Sequence, residues 1–204
     1  MMRLYRFPLS TNVERVALAL AHKKLSVESV EIDPKDRGPV RAVSGQDLVP
    51  VLTDDGRVVS DSMEIVRYLE EQYPQHPLYP SQPERRAEMT IFIDWFNRVW
   101  KRPPNEMEAE MSGPHPDRAR IERLGRAMRD ALDLFEQMLT GREFLMGEFS
   151  AADCAAFPFL KYALIRPPND DYLFHKILIE HQPLGKNHPR LTDWIRRVDL
   201  RPRV

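Results

Sequence analysis

Strand-like and helix-like hydrophobic patterns follow one another over the first part of the chain. Residues 3–7 have the pattern of a short strand, and a turn begins at Pro8. Between residues 12 and 24, apolar side chains recur at the spacing of an amphipathic helix. Residues 27–32 then alternate as in a strand. Two strands joined through a helix predict a β-α-β unit with parallel strands and a right-handed crossover.

A second group of elements follows a polar stretch that contains proline and glycine. Strand-like residues 49–52 and 57–59 flank an Asp-Asp-Gly sequence at 54–56, which is a strong β-hairpin signal. Apolar positions then fall on one face of a predicted helix over residues 62–72. The order β-α-β, connection, β-β-α is that of a thioredoxin-like domain, which we expect to span residues 1–74.

Prolines mark the boundary between two predicted domains. Pro74, Pro77, Pro80 and Pro83 crowd a short segment, and proline both stops helices and stiffens linkers. We therefore expect a linker over residues 75–83. Only helical patterns follow, over residues 84–102, 117–139, 151–164 and 189–198. The predicted fold class is an α/β thioredoxin-like N-terminal domain plus an all-α C-terminal helical domain over residues 84–204.

Charge and composition limit the classes of partner. The chain has 204 residues, with 30 Lys and Arg against 31 Asp and Glu and a formal net charge of -1. So balanced a charge gives no overall field that favours nucleic acid or an anionic membrane, and we expect neither as a partner. The arginine-rich segment 196–203 is interleaved with acidic and apolar residues, so we interpret it as a solvated helix end.

Cysteine and histidine usage argues against disulfide and metal chemistry. Cys154 is the only cysteine, which excludes an intrachain disulfide and a CxxC-type zinc site. We expect it to be a core residue rather than a nucleophile. The histidines lack the spacing of a metal site on one helix face, so no metal is predicted. No apolar run approaches the roughly 20 residues that span a bilayer, and we expect a cytoplasmic protein.

Four short motifs, in this order along the chain, resemble those of the cytosolic glutathione transferases. Residues 8–16, PLSTNVERV, resemble the serine-type active-site turn of phi-class-like bacterial members. Residues 48–52, LVPVL, resemble the loop that carries the family's cis-proline, and Asp61-Ser62 resembles its acidic-Ser pair. Residues 149–153, FSAAD, are similar to the helix-capping motif of the second domain. The order and spacing of the motifs make the resemblance specific.

The resemblance implies an enzyme of detoxification that uses glutathione as co-substrate and attacks a hydrophobic electrophile with its thiolate. It also implies a homodimer. Ser10 is the implied catalytic residue: its hydroxyl can donate to the sulfur, and the helix N-terminus adds partial positive charge. Capping the first helix is an alternative role for Ser10. Thr11 is an alternative donor if the turn is displaced by one residue.

The remaining implied glutathione contacts come from three segments. Val49, before an expected cis Pro50, pairs its backbone with the cysteinyl unit. Asp61 faces the γ-glutamyl ammonium and Ser62 the carboxylate, although both also suit a helix N-cap. Arg37 aligns roughly with a residue that meets the glycyl carboxylate. The implied glutathione-binding residues are Ser10, Thr11, Asn12, Arg37, Val49, Pro50, Asp61 and Ser62.

Departures from the family pattern keep rival functions open. Leu48 stands where phi-like proteins usually have a polar Gln that touches glutathione, and Ser44-Gly45 replaces an Asn-Pro pair. A non-catalytic ligand carrier or protein-interaction module is therefore one alternative. Glutathione-dependent isomerisation or dehalogenation is another, since both use the same thiolate. Arg6 occupies the position of the Tyr used by other classes, so Tyr-type thiol activation is not expected.

An aromatic stripe on the helix that begins at residue 84 is typical of a core or a dimer interface. Part of it is expected to line the pocket for the electrophile. The residues predicted for that pocket are Trp100, Met107, Met111, Tyr162 and Arg166.

Overall fold

A computed structural model describes residues 1–204 and divides the chain into two compact units. The first unit contains Met1–Pro80 together with Arg201–Val204, and the second contains Ser81–Leu200. The division thus falls inside the segment interpreted as a linker. The last four residues group with the first unit rather than with the helical one.

The first unit is a thioredoxin-like β-α-β-α-β-β-α domain, as the pattern predicts. Its sheet has the strand order β2-β1-β3-β4, with β1 and β2 parallel and the other neighbouring pairs antiparallel. The elements are β1 (Arg3–Arg6), α1 (Thr11–His22), β2 (Glu28–Glu31), α2 (Gly38–Ser44), β3 (Val51–Asp54), β4 (Arg57–Ser60) and α3 (Ser62–Gln72).

Helix α2 is an addition to the predicted elements. It lies in the polar stretch, has only Val40 buried, and therefore shows little hydrophobic periodicity. The predicted hairpin is confirmed, since Asp55 and Gly56 connect β3 to β4 with φ of 44° and 85°. Two consecutive residues with positive φ are what a tight hairpin turn requires, and glycine adopts this conformation without a steric penalty.

The core of the first unit fixes the segments that form the site. One buried cluster joins β1, α1, α2 and the residues around the start of β3. Because α1 and the 49–51 segment pack into the same core, their positions relative to each other are set by apolar contacts. The members of this cluster are Tyr5, Val13, Ile32, Val40, Val49 and Val51.

The C-terminal tail contacts α1, which corrects our interpretation of residues 196–203 as a solvated helix end. The last helix stops at Asp199. Beyond it, Arg203 Nη2 donates to Glu14 Oε1 at 3.1 Å, and Arg201 Nη2 lies 3.0 Å from His22 Nδ1. Two arginines of the tail are therefore tied to the surface of the first unit.

The second unit is helical, and its helices are α4 (Pro83–Trp95), α5 (Arg102–Met111), α6 (Arg118–Met138), α7 (Ala151–Leu160), α8 (Leu173–His181) and α9 (Pro189–Asp199). A π-helical turn, Phe96–Trp100, joins α4 to α5. The prolines at 103 and 104 stand in the first turn of α5, where no intrahelical N–H bond is lost. They begin a helix rather than end one.

The aromatic stripe forms the core of the second unit. Phe96 and Trp100 stack with ring centroids 4.5 Å apart, and Phe135 and Phe159 meet both rings edge-on. Edge-to-face and stacked contacts of this kind stabilise the packing beyond the burial of area alone.

The capping motif starts α7 as predicted. Asp153 Oδ2 accepts the backbone N–H and the hydroxyl of Ser150, at 2.9 and 3.0 Å, and Oδ1 accepts from Leu145 N and Trp194 Nε1. Burial raises the pKa of Asp153, against the lowering effect of these donors. Cys154, next in the chain, is fully buried, which confirms its place in the core.

Neither a membrane-spanning helix nor a cluster of potential metal ligands is found in the structure. None of the helices combines the length and the apolar character that a membrane span requires. No group of three or more His, Cys, Asp and Glu side chains is arranged so that it could hold a metal ion.

Candidate functional site

An open cavity of about 390 Å³ in the first unit brings together three segments that are distant in sequence. They are the start of α1, the loop before β3, and the junction between β4 and α3. Five of the predicted glutathione-binding residues lie in its wall, and Gln46, Leu48 and Ser60 join them. The full wall consists of Asn12, Gln46, Leu48, Val49, Pro50, Ser60, Asp61 and Ser62.

The loop before β3 exposes a leucine at the rim of the cavity. The Val49-Pro50 peptide bond is cis, as expected. Leu48 is 75% exposed, so its side chain projects into solvent and is not part of the core. Gln46, which the sequence did not single out, bonds the backbone of Leu48 through both atoms of its side-chain amide. A polar side chain is therefore present in this wall, two residues before the position of Leu48.

Asp61 is the N-cap of α3 and uses only one of its two carboxylate oxygens for the cap. Its Oδ1 accepts the backbone N–H groups of Met63 and Glu64, at 2.8 and 3.2 Å. Its Oδ2 accepts no hydrogen bond, and its φ of 72° lies in the left-handed region, which is unusual for a residue other than glycine. Capping and ligand binding are thus compatible at Asp61, because each uses a different oxygen.

Ser62 is buried in the wall of the same cavity and has a charged neighbour behind it. Its Oγ accepts a hydrogen bond from Arg15 Nη1 at 3.2 Å. Arginine has no acceptor atom, so the serine oxygen must be the acceptor in this pair. The hydroxyl hydrogen of Ser62 makes no hydrogen bond within the protein and is available to a ligand.

Ser10 is the N-cap of α1. Its Oγ accepts from Val13 N at 3.3 Å, with φ and ψ of -68° and 115°. The capping role, one of the two alternatives for Ser10, is therefore present, and it leaves the hydroxyl hydrogen free to donate. Ser10 is not among the residues that line the cavity, and Thr11 is buried. Asn12, one position further, is the α1 residue in the wall.

Arg37 is the N-cap of α2 and is not among the residues that line the cavity. Its guanidinium lies 4.7 Å from the centroid of the Phe7 ring. The Nη1 atom is buried and has no hydrogen-bond partner. A buried guanidinium nitrogen without an acceptor costs free energy, and an anion at this position would supply one.

The residues predicted for the electrophile pocket lie in the second unit. Trp100, Met107 and Tyr162 are buried, and the Tyr162 hydroxyl donates to Asp170 Oδ2 at 3.2 Å. Met111 is partly exposed and Arg166 is exposed. The indole Nε1 of Trp100 is buried without a hydrogen-bond partner.

Comparison with known families matches both halves of the chain. Residues 4–77 match the glutathione S-transferase N-terminal domain, and residues 118–197 match the glutathione S-transferase C-terminal domain. A glutathione S-transferase of Arabidopsis thaliana is 30% identical over 168 residues, which cover 76% of this chain and 78% of that protein.

Two further similarities concern a bacterial isomerase and a bacterial structure. A maleylacetoacetate isomerase of Pseudomonas aeruginosa is 41% identical over 93 residues, which is 42% of this chain and 44% of that protein. The crystal structure of a glutathione S-transferase from Rhodospirillum rubrum superposes with a TM-score of 0.74 and 27% identity, over 99% of this chain and 89% of that one.

Proposed function

The chain belongs to the glutathione S-transferase family, and we propose that it catalyses the attack of the glutathione thiolate on a hydrophobic electrophile. The observation that carries the proposal is the cavity of the first unit. It combines an uncommitted carboxylate oxygen and an uncommitted hydroxyl hydrogen at the start of α3 with the loop of the cis Val49-Pro50 bond.

The γ-glutamyl end of glutathione carries an ammonium and a carboxylate. We assign the ammonium to Asp61 Oδ2 and the carboxylate to the Ser62 hydroxyl. Charge-assisted hydrogen bonds of this type are about twice as strong as neutral ones. The N-terminal amides of α3 and its helix dipole favour the carboxylate as well.

The cysteinyl thiol is placed against the start of α1. We assign its activation to Ser10, whose hydroxyl hydrogen is uncommitted while Oγ caps the helix. A hydrogen bond to the sulfur stabilises the thiolate over the thiol and lowers the pKa of bound glutathione. Asn12, which lines the cavity, is the competing donor, with Thr11 as a further one. The backbone of Val49 holds the cysteinyl unit.

The glycyl carboxylate is assigned to Arg37, because the buried Nη1 atom of this residue lacks an acceptor. For the electrophile, we propose contacts with Met111 and Arg166 of the second unit, which are the accessible members of the predicted pocket, since Trp100, Met107 and Tyr162 are buried. Met111 can contact a hydrophobic acceptor through burial of its surface, and Arg166 suits an acceptor that carries a negative charge.

Glutathione-dependent isomerisation is the second candidate function. The observation that favours it is the 41% identity to a maleylacetoacetate isomerase. The match spans less than half of that protein, so it supports a related enzyme and does not identify the acceptor. The two reactions differ in their products: conjugation leaves the electrophile on sulfur, whereas isomerisation returns glutathione.

A homodimer is also part of the proposal. Ile91 on α4 and Val99 in the π-helical turn are 69% and 54% exposed, although they belong to the otherwise buried aromatic segment. Contiguous exposed apolar patches mark protein-protein contacts, and we propose that these two side chains belong to one. Light scattering of the wild type and of Ile91→Glu tests this: the wild type should have twice the mass of the variant.

Calorimetric titration with glutathione tests the proposed function. We expect saturable binding by the wild type and a loss of at least about tenfold in affinity for Asp61→Asn, which keeps the cap but not the charge. Asp55→Asn, in the hairpin turn, is the matched control. A folded wild type that does not bind glutathione contradicts the proposal and favours a non-catalytic carrier or interaction module.

The thiol role is tested by the ultraviolet absorbance of bound thiolate as a function of pH. Ser10→Ala should raise the pKa of bound glutathione, and Ser10→Thr, which retains a hydroxyl, should restore part of the effect. Asn12→Ala measures the competing donor. An unchanged thiol pKa in Ser10→Ala, together with unchanged turnover of an aryl chloride, excludes Ser10 as the activating residue.

A further inference from the structure

Arg15 is a buried cation directly behind the candidate γ-glutamyl site. It lies in the middle of α1, is only 2% exposed, and donates from Nη1 to Ser62 Oγ at 3.2 Å. Burial of a guanidinium is costly unless hydrogen bonds and nearby negative charge compensate for the lost hydration. A sequence that places arginine among the apolar residues of this helix therefore needs a physical reason.

The Arg15–Ser62 bond determines how the serine hydroxyl is oriented. A hydroxyl has one hydrogen to donate and can accept two hydrogen bonds, whereas a guanidinium only donates. Ser62 Oγ therefore accepts from Arg15 and does not donate to it. The hydroxyl hydrogen is directed elsewhere, and Ser62 lines the cavity.

We propose that Arg15 is a positioning residue that makes Ser62 a donor for the α-carboxylate of the γ-glutamyl group. The inference rests on the proposed function. Arg15 has two effects in this arrangement: it fixes the hydroxyl orientation before the ligand binds, and it places a permanent positive charge one hydrogen bond behind the carboxylate. Preorganised donors in a site of low dielectric bind charge more strongly than donors that must first reorient.

Arginine suits this role better than lysine does. The guanidinium is planar, remains charged at every accessible pH, and directs its N–H groups in fixed directions. An ammonium rotates freely and is more strongly hydrated. Arg15→Lys therefore keeps the charge but loses the fixed direction, and Arg15→Met loses both while it retains an unbranched apolar stem.

The experiment compares glutathione with an analogue that lacks only the α-carboxylate, γ-aminobutyryl-cysteinyl-glycine. Calorimetry measures the affinity ratio of the two ligands for the wild type, Arg15→Lys, Arg15→Met, Ser62→Ala and the double variant Arg15→Met/Ser62→Ala. Arg67→Met is the control, because Arg67 lies on the exposed side of α3 and pairs with Glu64. Urea denaturation establishes that each variant is folded.

We expect the wild type to prefer glutathione by at least about tenfold, as for a hydrogen bond to a charged group. Arg15→Met and Ser62→Ala should each remove most of this preference, and the double variant should remove no more than either one. Arg15→Lys should retain part of it. Affinity for the analogue should hardly change. If Arg15→Met does not fold, Arg15→Lys replaces it in the comparison. A preference for glutathione between those of the wild type and Ser62→Ala then supports the positioning role, and a preference equal to that of the wild type contradicts it.

The results separate this inference from the proposed function. A wild type that does not bind glutathione overturns both. A wild type that binds, with Arg15 variants that weaken both ligands by the same factor, leaves the proposed function intact and overturns the positioning role. Additive effects of Arg15→Met and Ser62→Ala on the preference overturn the positioning role as well, since residues that act through one another do not behave independently.

Discussion

The side-chain amide of Gln46 closes a ring with the backbone of Leu48. Leu48 N donates to Gln46 Oε1 at 2.5 Å, and Gln46 Nε2 donates to the Leu48 carbonyl at 2.8 Å. The ring holds the loop that leads into the cis Val49-Pro50 bond, and Gln46 is itself part of the cavity wall. One side chain therefore shapes the site and also satisfies two backbone groups of an exposed loop.

Gln46→Ala is expected to weaken glutathione binding by about three- to tenfold, because two backbone hydrogen bonds of about 1 kcal/mol each are lost and the loop becomes less ordered. Calorimetry measures the effect. Asp47→Ala is the control, since Asp47 pairs with Arg41 on the surface and does not line the cavity. Equal affinity of the two variants would mean that the ring has no part in binding.

Leu48→Gln should strengthen glutathione binding. Leu48 is exposed at the rim of the cavity and offers no hydrogen bond, whereas a glutamine there adds a donor and an acceptor. We expect a gain of about threefold to tenfold and almost no change in the free energy of unfolding. Leu48→Met, which remains apolar, is the matched control. A Leu48→Gln affinity no better than that of Leu48→Met would contradict the prediction.

Lys23 and Glu70 form a buried ion pair that secures the end of the first unit. Lys23 Nζ lies 2.7 Å from Glu70 Oε2, and the side chains are 0% and 9% exposed. Lys23 also donates to the Tyr73 carbonyl, and Glu70 accepts from Leu78 N. The pair thus connects α1, α3 and the proline-rich segment.

Lys23→Met is expected to lower the free energy of unfolding by about 3–5 kcal/mol, because it leaves the Glu70 carboxylate buried without its cation. Urea denaturation measures this. Arg67→Met breaks the exposed Arg67–Glu64 pair instead and should cost less than about 1 kcal/mol. A Lys23→Met variant as stable as Arg67→Met would show that the buried pair contributes little.

Tyr73 should ionise at unusually high pH. Its hydroxyl donates to Asp54 Oδ2 at 2.5 Å, and this bond, assisted by burial, raises the pKa of Tyr73 to about 12. Because the pKa is raised above the ordinary value near 10, the stabilising effect is complete below about pH 10 and is lost as the pH rises towards 12.

The absorbance change of tyrosinate between the wild type and Tyr73→Phe isolates this titration among the six tyrosines. Asp54→Asn removes the charged acceptor and should bring the pKa of Tyr73 back towards 10. Ionisation of Tyr73 near pH 10 in the wild type would show that the bond to Asp54 does not form in solution.

Elements with a strong local pattern could be predicted, and elements stabilised from a distance could not. Helix α8 is an example: its N-cap, Tyr172, makes no side-chain cap bond. Asp170 accepts from Tyr172 N instead, and Glu108 on α5 accepts from the backbone of Phe174. Because part of the capping comes from another helix, residues 172–175 carry no N-terminal signal of their own.

The sequence by itself determined the thioredoxin-like order of elements, the hairpin turn and the α7 capping box. Each depends on side chains a few residues apart, where period and turn chemistry act locally. The tertiary structure alone decided that Asn12 rather than Ser10 lines the cavity, that Gln46 supports Leu48, and that Arg15 lies behind Ser62. Those relationships depend on how α1, α3 and the loop before β3 pack against one sheet, and no local pattern along the chain records that packing.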